Sequence, residues 1–553
     1  MIRARRGASV QHGTKAMKNV TLAVLASSMT FAIAGCGDRR AVWDGAPEKV
    51  QVVGIESGIA VFDPGAGRAV FVAAKGNLDV SRTAIPIHEN VAKTATSSDN
   101  KTIFVLSAGT SGKRTKDSQT PDLCVIGQST DGLTVAHYPL ASPLSQIALD
   151  PLGRYAAVYA GDGTSFVENP NEIGIVDLTE PDPAKALTTR TIRSFGGRPQ
   201  RLTFTQQLQL PGGPRRLLVV ESQQDVTVLD LDHVHDQPVR PEVTIPLTDG
   251  STTHVVNPAG IVVDDGLPTR NDDARIAVRL ANDSNVVTLT LAAPSPDAPA
   301  TPNDFRIIPN KTDVGGIASG ISFVRTDGGL RIAALVPGIS SAVLIDPQTS
   351  VTTNVALPAG YGSIALITDI VGAPSSSGAD VALLYNASSQ SGVAFWALGK
   401  TSGQPYRSVE VVNVNGAVAN VLSVAAPHQN LKVLQTSDGA GFYVLDLTAR
   451  TAQPLGTSAQ ATLFTSPDGQ RLWAYQKGGN KLALVTFTDL HVSPLPDLER
   501  TIDSVFEVSR DDGGRALFAV DTRGNVGLTV LDAISPDVDQ SRTLGGVLLE
   551  GLR

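Results

Sequence analysis

One pattern returns along most of the chain: a short apolar run, a polar turn, and a second short apolar run. Its clearest copy is Arg471 to Phe487, RLWAYQKGGNKLALVTF, with Ser466-Pro467-Asp468-Gly469 in front of it. Leu472 to Tyr475 and Leu482 to Phe487 are the apolar runs, and Gly478 to Asn480 is the break between them. Two β-prone runs split by a glycine-containing break predict a hairpin. The unit occurs ten times, starting at Lys49, Thr102, Arg154, Arg216, Arg275, Arg331, Val381, Lys432, Arg471 and Arg515, and successive starts lie 39 to 62 residues apart. The copy at Thr102 resumes only at Asp122, and the copy at Arg154 only at Glu172.

A repeat of this length, built from several short strands, predicts an all-β chain and specifically the blades of a β-propeller. Each blade is then a four-stranded antiparallel sheet whose two middle strands are the repeated unit. A first strand precedes it, as at Gln146 to Leu149 or Thr462 to Phe464, and an outer strand follows it, as at Val243 to Ile245 or Phe305 to Ile308. Gly 52 and Pro 34, about one residue in six of 553, suit a chain with this many turns. No helical period is sustained after residue 36. Ten units exceed the four to eight blades of a usual ring, so the propeller region, 48–553, forms one large ring or two. The Pro/Ala-rich stretch Ala292 to Asp304 is either a boundary between rings or a long loop inside one blade.

Val228-Leu229-Asp230 and Val343-Leu344-Ile345-Asp346 end their units in an apolar pair or triplet followed by aspartate. The units starting at Arg216 and Arg331 therefore resemble the YVTN-type repeat of bacterial, lactonase-like propellers. The Gly-His and Trp-Asp pairs of tryptophan–aspartate repeat propellers are missing. What the resemblance implies is a rigid ring that presents loops to a partner, or an enzyme of the lactonase or quinoprotein type with a site in the central channel.

The N-terminus is of a different character. Residues 17–36 read MKNVTLAVLASSMTFAIAGC: a lysine, an apolar stretch from Val20 to Ala34, then Ile33-Ala34-Gly35-Cys36. A positive start, a short apolar core and small residues predict an export signal, too short for a stable membrane span. Met17 would serve as its start as well as Met1 does. The ending resembles the lipobox of bacterial lipoproteins, which implies cleavage before Cys36 and a lipid on its sulfur. Residues 1–36 are then a signal peptide and 37–47 a tether. Gly37 at the second mature position is not the aspartate that holds enterobacterial lipoproteins at the inner membrane, so the expected address is the outer membrane, with the propeller in the periplasm or at the cell surface.

Charge and motifs narrow the function. The signal carries five basic residues and no acid; without them 40 basic residues face 53 acidic ones, a formal −13. That is no footprint for nucleic acid, and none is expected as a partner. Gly399-Lys400-Thr401 lacks the glycine of a phosphate loop at Ala394, and His88-Glu89 lacks the second histidine of a zinc helix at Ala92. There is no G-x-S-x-G elbow. His233, His235 and Asp236 sit in a loop pattern running into Gln237-Pro238 and read as surface. Cys124, in the apolar run Leu123 to Ile126, reads as a small core residue. Three tryptophans, Trp43, Trp396 and Trp473, are few for a sugar-stacking platform. No catalytic residue, cofactor or metal is assigned from these patterns.

The insertions are the most specific remaining feature. In an antiparallel blade the loop between the second and third strands leaves on the same face as the connection to the next blade. Two consecutive units are enlarged there: Gly109 to Asp122, with Lys113, Arg114 and Lys116, and Gly161 to Asn171, with Asp162, Glu168 and Asn171. Neighbouring insertions on one face make a recognition rim. The expected function is that of a lipid-anchored, non-enzymatic binding or scaffold module with an envelope protein as partner.

Overall fold

Ten four-stranded antiparallel sheets follow one another along the chain. They span residues 51–86, 91–139, 146–191, 199–246, 258–313, 320–356, 363–412, 418–455, 462–494 and 504–544, here blades 1 to 10. The computed structural model describes residues 50–548 apart from 66, 112–114, 117, 130–131, 163–166, 194–196, 211, 237–241, 249–255, 265–272, 296–302, 304, 373–377, 389–391, 402–403, 406–407, 438–440, 459 and 525. Each blade takes its strands in chain order; blades 4 and 7 add a small two-stranded hairpin. The described helices are single turns, the α-helical ones being Pro183–Ala186 and Thr368–Val371.

The middle strands are continuous apolar runs because blades cover them on both faces. Tyr155–Tyr159 and Ser341–Ile345 are buried at every position. The ring is visible in how the core divides. Ten apolar clusters each join two consecutive blades. One of them closes the circle, packing Ile59, Val61, Val70 and Val72 of blade 1 against Phe518, Val520, Leu528 and Val530 of blade 10. Closure uses packing rather than a shared strand. The Ser509 amide donates to the Glu56 carbonyl at 2.7 Å, and Phe506 lies where a Cβ on Gly54 would stand, 2.3 Å from its ring. A side chain at Gly54 would push the first and last blades apart.

The repeat units correspond to the middle strands in every blade but the first. The run starting at Lys49 supplies the first and second strands, Gln51–Ile55 and Gly58–Asp63, and the third strand is Arg68–Ala74. The reason is local: the turn between first and second strands is only Glu56-Ser57, so this pair has the outline of a hairpin unit. The stretch Ala292 to Asp304 joins the third and fourth strands of blade 5, which pair across it from Ala292 with Arg306 onward. It is a loop inside a blade of one ten-bladed ring.

Unit boundaries have a physical cause. In several blades an arginine at the start of the second strand meets an aspartate at the end of the third: Arg154 with Asp177 at 3.2 Å and Arg331 with Asp346 at 3.3 Å. The same aspartates cap the next turn, Asp346 accepting from the Gln348 amide at 2.9 Å and Asp532 from the Ile534 amide at 2.8 Å. At Asp346 burial raises the carboxyl pKa, but the Gln348 and Thr349 amides and Arg331 outweigh it, leaving the group below its usual value. Outer strands carry Pro86, Pro139, Pro246, Pro309, Pro454 and Pro494. A proline on an exposed edge removes a donor and discourages edge-to-edge association.

The turn Ser466-Pro467-Asp468-Gly469 makes one measurable demand. Gly469 has φ +66°, and a Cβ there would stand 2.2 Å from the Ala425 carbonyl oxygen of blade 8. Gly469→Ala is expected to cost more than the roughly 1–2 kcal/mol of left-handed strain alone, because the clash is with backbone. Urea unfolding checks this; a loss under about 0.5 kcal/mol, within the range of ordinary surface changes, would contradict it.

Candidate functional site

Strand reversal sends the second-to-third strand loops and the blade-to-blade connections to one face. Hydrogen bonds place the first insertion there. The Gly109 amide donates to the Glu89 carbonyl at 3.1 Å, and the Asn90 side chain donates to the Gly109 carbonyl at 2.8 Å, Glu89 and Asn90 lying in the connection from blade 1. The stem of the insertion is zipped: the Thr110 amide donates to the Gln119 carbonyl at 3.1 Å, and the Gln119 amide to the Thr110 hydroxyl at 2.9 Å. The Gln119 side chain in turn accepts from the Glu89 amide at 2.7 Å. Lys116 is exposed at the tip. Lys113 and Arg114 lie outside the described residues, as does Cys36 with the whole of the signal and tether.

The second insertion leans forward, not back. Asp162 is exposed and turned to blade 4, accepting from Gln200 Nε2 at 2.9 Å and lying 3.7 Å from Arg198. Its charge is therefore answered by the following blade. Glu168 is exposed beside Glu172. Burial holds the Glu172 carboxyl above its usual range, a Ser142 hydrogen bond draws it back, and the Glu168 charge adds to the rise. Asn171 is half-buried, its amide bonded to Asn169 Oδ1 at 3.1 Å and its carbonyl accepting from the Ile192 amide at 2.9 Å. Asn171 thus holds the loop base, while Asp162 and Glu168 face outward. The same face carries a groove of about 450 Å³ at blade 9, lined by Tyr475, Leu482, Val492, Leu495 and the stem of Lys481.

At the foot of the first insertion the fold gathers residues that the sequence keeps apart. Asp122 opens the third strand of blade 2, and His137 lies on the fourth, directly opposite Cys124. Asp122, Cys124 and His137 therefore share the sheet face that packs on blade 1. His88 enters from the connection that follows blade 1. Among the described residues, His88, Asp122 and His137 form a group whose ligand atoms lie within 4.8 Å of one another. His137 Nδ1 is 2.7 Å from Asp122 Oδ2, and the His88 and His137 rings stack with centroids 5.6 Å apart. Sequence spacing gives no sign of this group, since His88 and Asp122 meet only when two blades stack. The available signal is an aspartate at the head of the apolar strand DLCVIG, where an unpaired charge is out of place. Cys124 itself is fully buried in the seam between blades 1 and 2. Burial, and then the Asp122 charge, pushes its thiol up to about 12, so it remains protonated.

Other candidates stay local. His233 Nδ1 is 2.7 Å from Asp236, and His235 bonds the Thr188 hydroxyl at 2.9 Å, both in the third-to-fourth strand loop of blade 4 on the opposite face. Lys400–Thr401 is a short strand paired with Gln404–Pro405, with no helix following. Trp396 and Trp473 are fully buried and offer no face to a sugar. The first strands stand innermost, each against its neighbours. Their charged residues are Lys93, Arg201, Asp264, Arg325 and Glu507, with no histidine. Arg201 lies 3.8 Å from Glu221 and Arg325 3.2 Å from Asp380, while Glu507 is bound by Arg471 and Arg515.

No known protein family and no curated protein matches the chain. Solved structures do match it as folds. AztD from Citrobacter koseri, in its apo form, is 11% identical over 72% of this chain and 95% of its own, with a TM-score of 0.33. The periplasmic gluconolactonase PpgL of Pseudomonas aeruginosa is 14% identical over 55% of this chain and 83% of its own, with a TM-score of 0.28. The dihydro-heme d1 dehydrogenase NirN, in complex with DHE, is 11% identical over 68% and 71%, with a TM-score of 0.39.

Proposed function

We propose that this protein is an exported lipoprotein, anchored through Cys36 at the outer membrane, whose ten-bladed propeller acts as a binding or scaffold module without chemistry of its own. The partner is an envelope protein, and it docks on the face that carries the insertions of blades 2 and 3. One observation carries the reading. Arg201, Arg325 and Glu507 of the innermost strands are ion-paired within their own or the adjacent blade, whereas Lys116 and Glu168 stand exposed on the face that carries the insertions. An enzyme of the lactonase or quinoprotein type would use acids, bases or metal ligands converging on the channel; Arg201, Arg325 and Glu507 are instead engaged in ion pairs with Glu221, Asp380 and Arg471.

The experiment is a capture of partners from detergent-solubilised envelopes by the wild type and by a variant whose 112–117 segment is replaced by a short Gly-Ser turn. The zipped Thr110–Gln119 stem is retained, so stability should be nearly unchanged, because surface loop length costs little. A partner held by the wild type should be lost or weakened. Full recovery by the shortened variant would remove the rim from the proposal.

A further inference from the structure

The geometry points to a divalent metal site of the zinc class, formed by His88, Asp122 and His137 at the seam of blades 1 and 2. The donor set is two imidazoles and one carboxylate. Nitrogen ligands select zinc and its borderline neighbours over calcium or magnesium, which take oxygens. Three protein ligands leave a position open for water, as in non-structural zinc sites.

The hydrogen bonds prepare the ligands. His88 Nδ1 lies 2.8 Å from the Thr120 carbonyl oxygen. A carbonyl only accepts, so Nδ1 carries the proton and Nε2 keeps the lone pair that a metal needs. A backbone carbonyl on the far nitrogen is the outer-shell arrangement that orients metal-binding histidines. Asp122 is the fixed member: its side chain is 0% exposed, Oδ2 is held by His137, and the buried Oδ1 has no hydrogen-bond partner. A buried carboxylate with an unanswered oxygen is costly unless a cation meets it. Among the described residues its only ion-pair partner is His137.

The present spread, up to 4.8 Å, exceeds the spacing of about 3.3 Å that tetrahedral bonds of 2.0–2.1 Å impose. Closure falls to the two histidines, which are half-buried, while the buried Asp122 stays put. The metal would take the place of the proton that now bridges His137 and Asp122. Because Thr120 and Asp122 end the first insertion, occupancy would also fix the root of that loop. The site stands independently of the partner-binding proposal.

The test is titration of the purified, metal-free chain with Zn²⁺ alone. About one ion per chain is expected. His88→Ala and His137→Ala should each weaken binding by more than the roughly 10–100-fold that outer-shell changes cost, while His233→Ala, in the other histidine–aspartate pair, leaves it unchanged. Cobalt(II) loading of the wild type reads the ligands without mutation: hyperfine-shifted imidazole N–H signals from two histidines are expected. Absence of stoichiometric zinc, unchanged affinity in the His88→Ala/His137→Ala double variant, or cobalt signals from fewer than two imidazoles would each overturn the site. Loss of the rim partner with zinc binding intact would bear on the docking proposal only.

Discussion

Glu507→Ala is expected to destabilise the ring by about 3–5 kcal/mol, the cost of removing one partner from a buried ion pair. Glu507 stands on the first strand of blade 10 with its side chain 0% exposed. Its carboxylate accepts from Arg471 Nη2 at 2.7 Å, from Arg515 Nε at 2.5 Å and from the Trp473 indole at 3.0 Å. Arg471 also reaches Asp468 at 2.6 Å, tying the turn between the first and second strands of blade 9 into the same cluster. Truncation would leave two guanidinium groups and a fully buried indole N–H without their acceptor at the junction of blades 9 and 10. Glu507→Gln keeps an acceptor and loses the charge, so it should fall between wild type and alanine. The exposed pair Arg450–Glu410 is the control: Arg450→Ala should cost no more than about 1 kcal/mol. Urea unfolding of the three variants gives the ranking, and a Glu507→Ala cost near that of Arg450→Ala would show that the cluster is not a structural joint.

This joint is also where the sequence was most informative. Arg471 and Arg515 open two of the repeat units, and Ser466-Pro467-Asp468-Gly469 marks the turn before one of them. Strand periodicity, turn residues and regular spacing are local properties, so the middle strands and the all-β class were legible from the chain alone. The first unit falls one strand early for a local reason too, the two-residue turn at Glu56-Ser57. Ring number was not legible. It depends on Val61, Val72, Phe518 and Val530 meeting across the whole length of the chain, and on Gly54 making room for Phe506. Nothing in an apolar strand says which other apolar strand will cover it.

The candidate site divides in the same way. The insertions could be read because length and charge are visible in sequence, and their shared face follows from strand reversal. The direction in which each leans could not, since Asp162 turns to Arg198 and Gln200 of the next blade. The group of His88, Asp122 and His137 was hidden for a stronger reason. In sequence, His88-Glu89 is the start of a helical zinc pattern, in which both histidines lie one turn apart. Here the ligands come from the connection between blades 1 and 2 and from two adjacent strands of blade 2, and only the folding of that connection against the sheet brings all three within reach.

Cys36→Ala is expected to move the protein from the membrane fraction to the soluble one. The proposed anchor consists of acyl chains on Cys36, each buried methylene contributing about 0.8 kcal/mol, and a stable anchor needs more than one chain. The remainder of the chain offers little to replace it. Residues 37–553 carry a formal −13, which anionic lipid surfaces repel rather than attract. Among the described residues no helix is long and apolar enough to cross a membrane. Loss of the lipid should therefore be close to all-or-none in fractionation, while urea unfolding of the released domain stays that of the wild type, since residue 36 lies ahead of the first strand at Gln51. Intact mass of the wild type should show cleavage before Cys36 and an added lipid mass that the variant lacks. Gradient separation of the two membranes tests the address implied by Gly37, with the wild type expected in the outer-membrane fractions. A variant that still sediments with membranes, together with a wild type of unmodified mass, would remove the anchor and leave the propeller as a secreted or periplasmic ring.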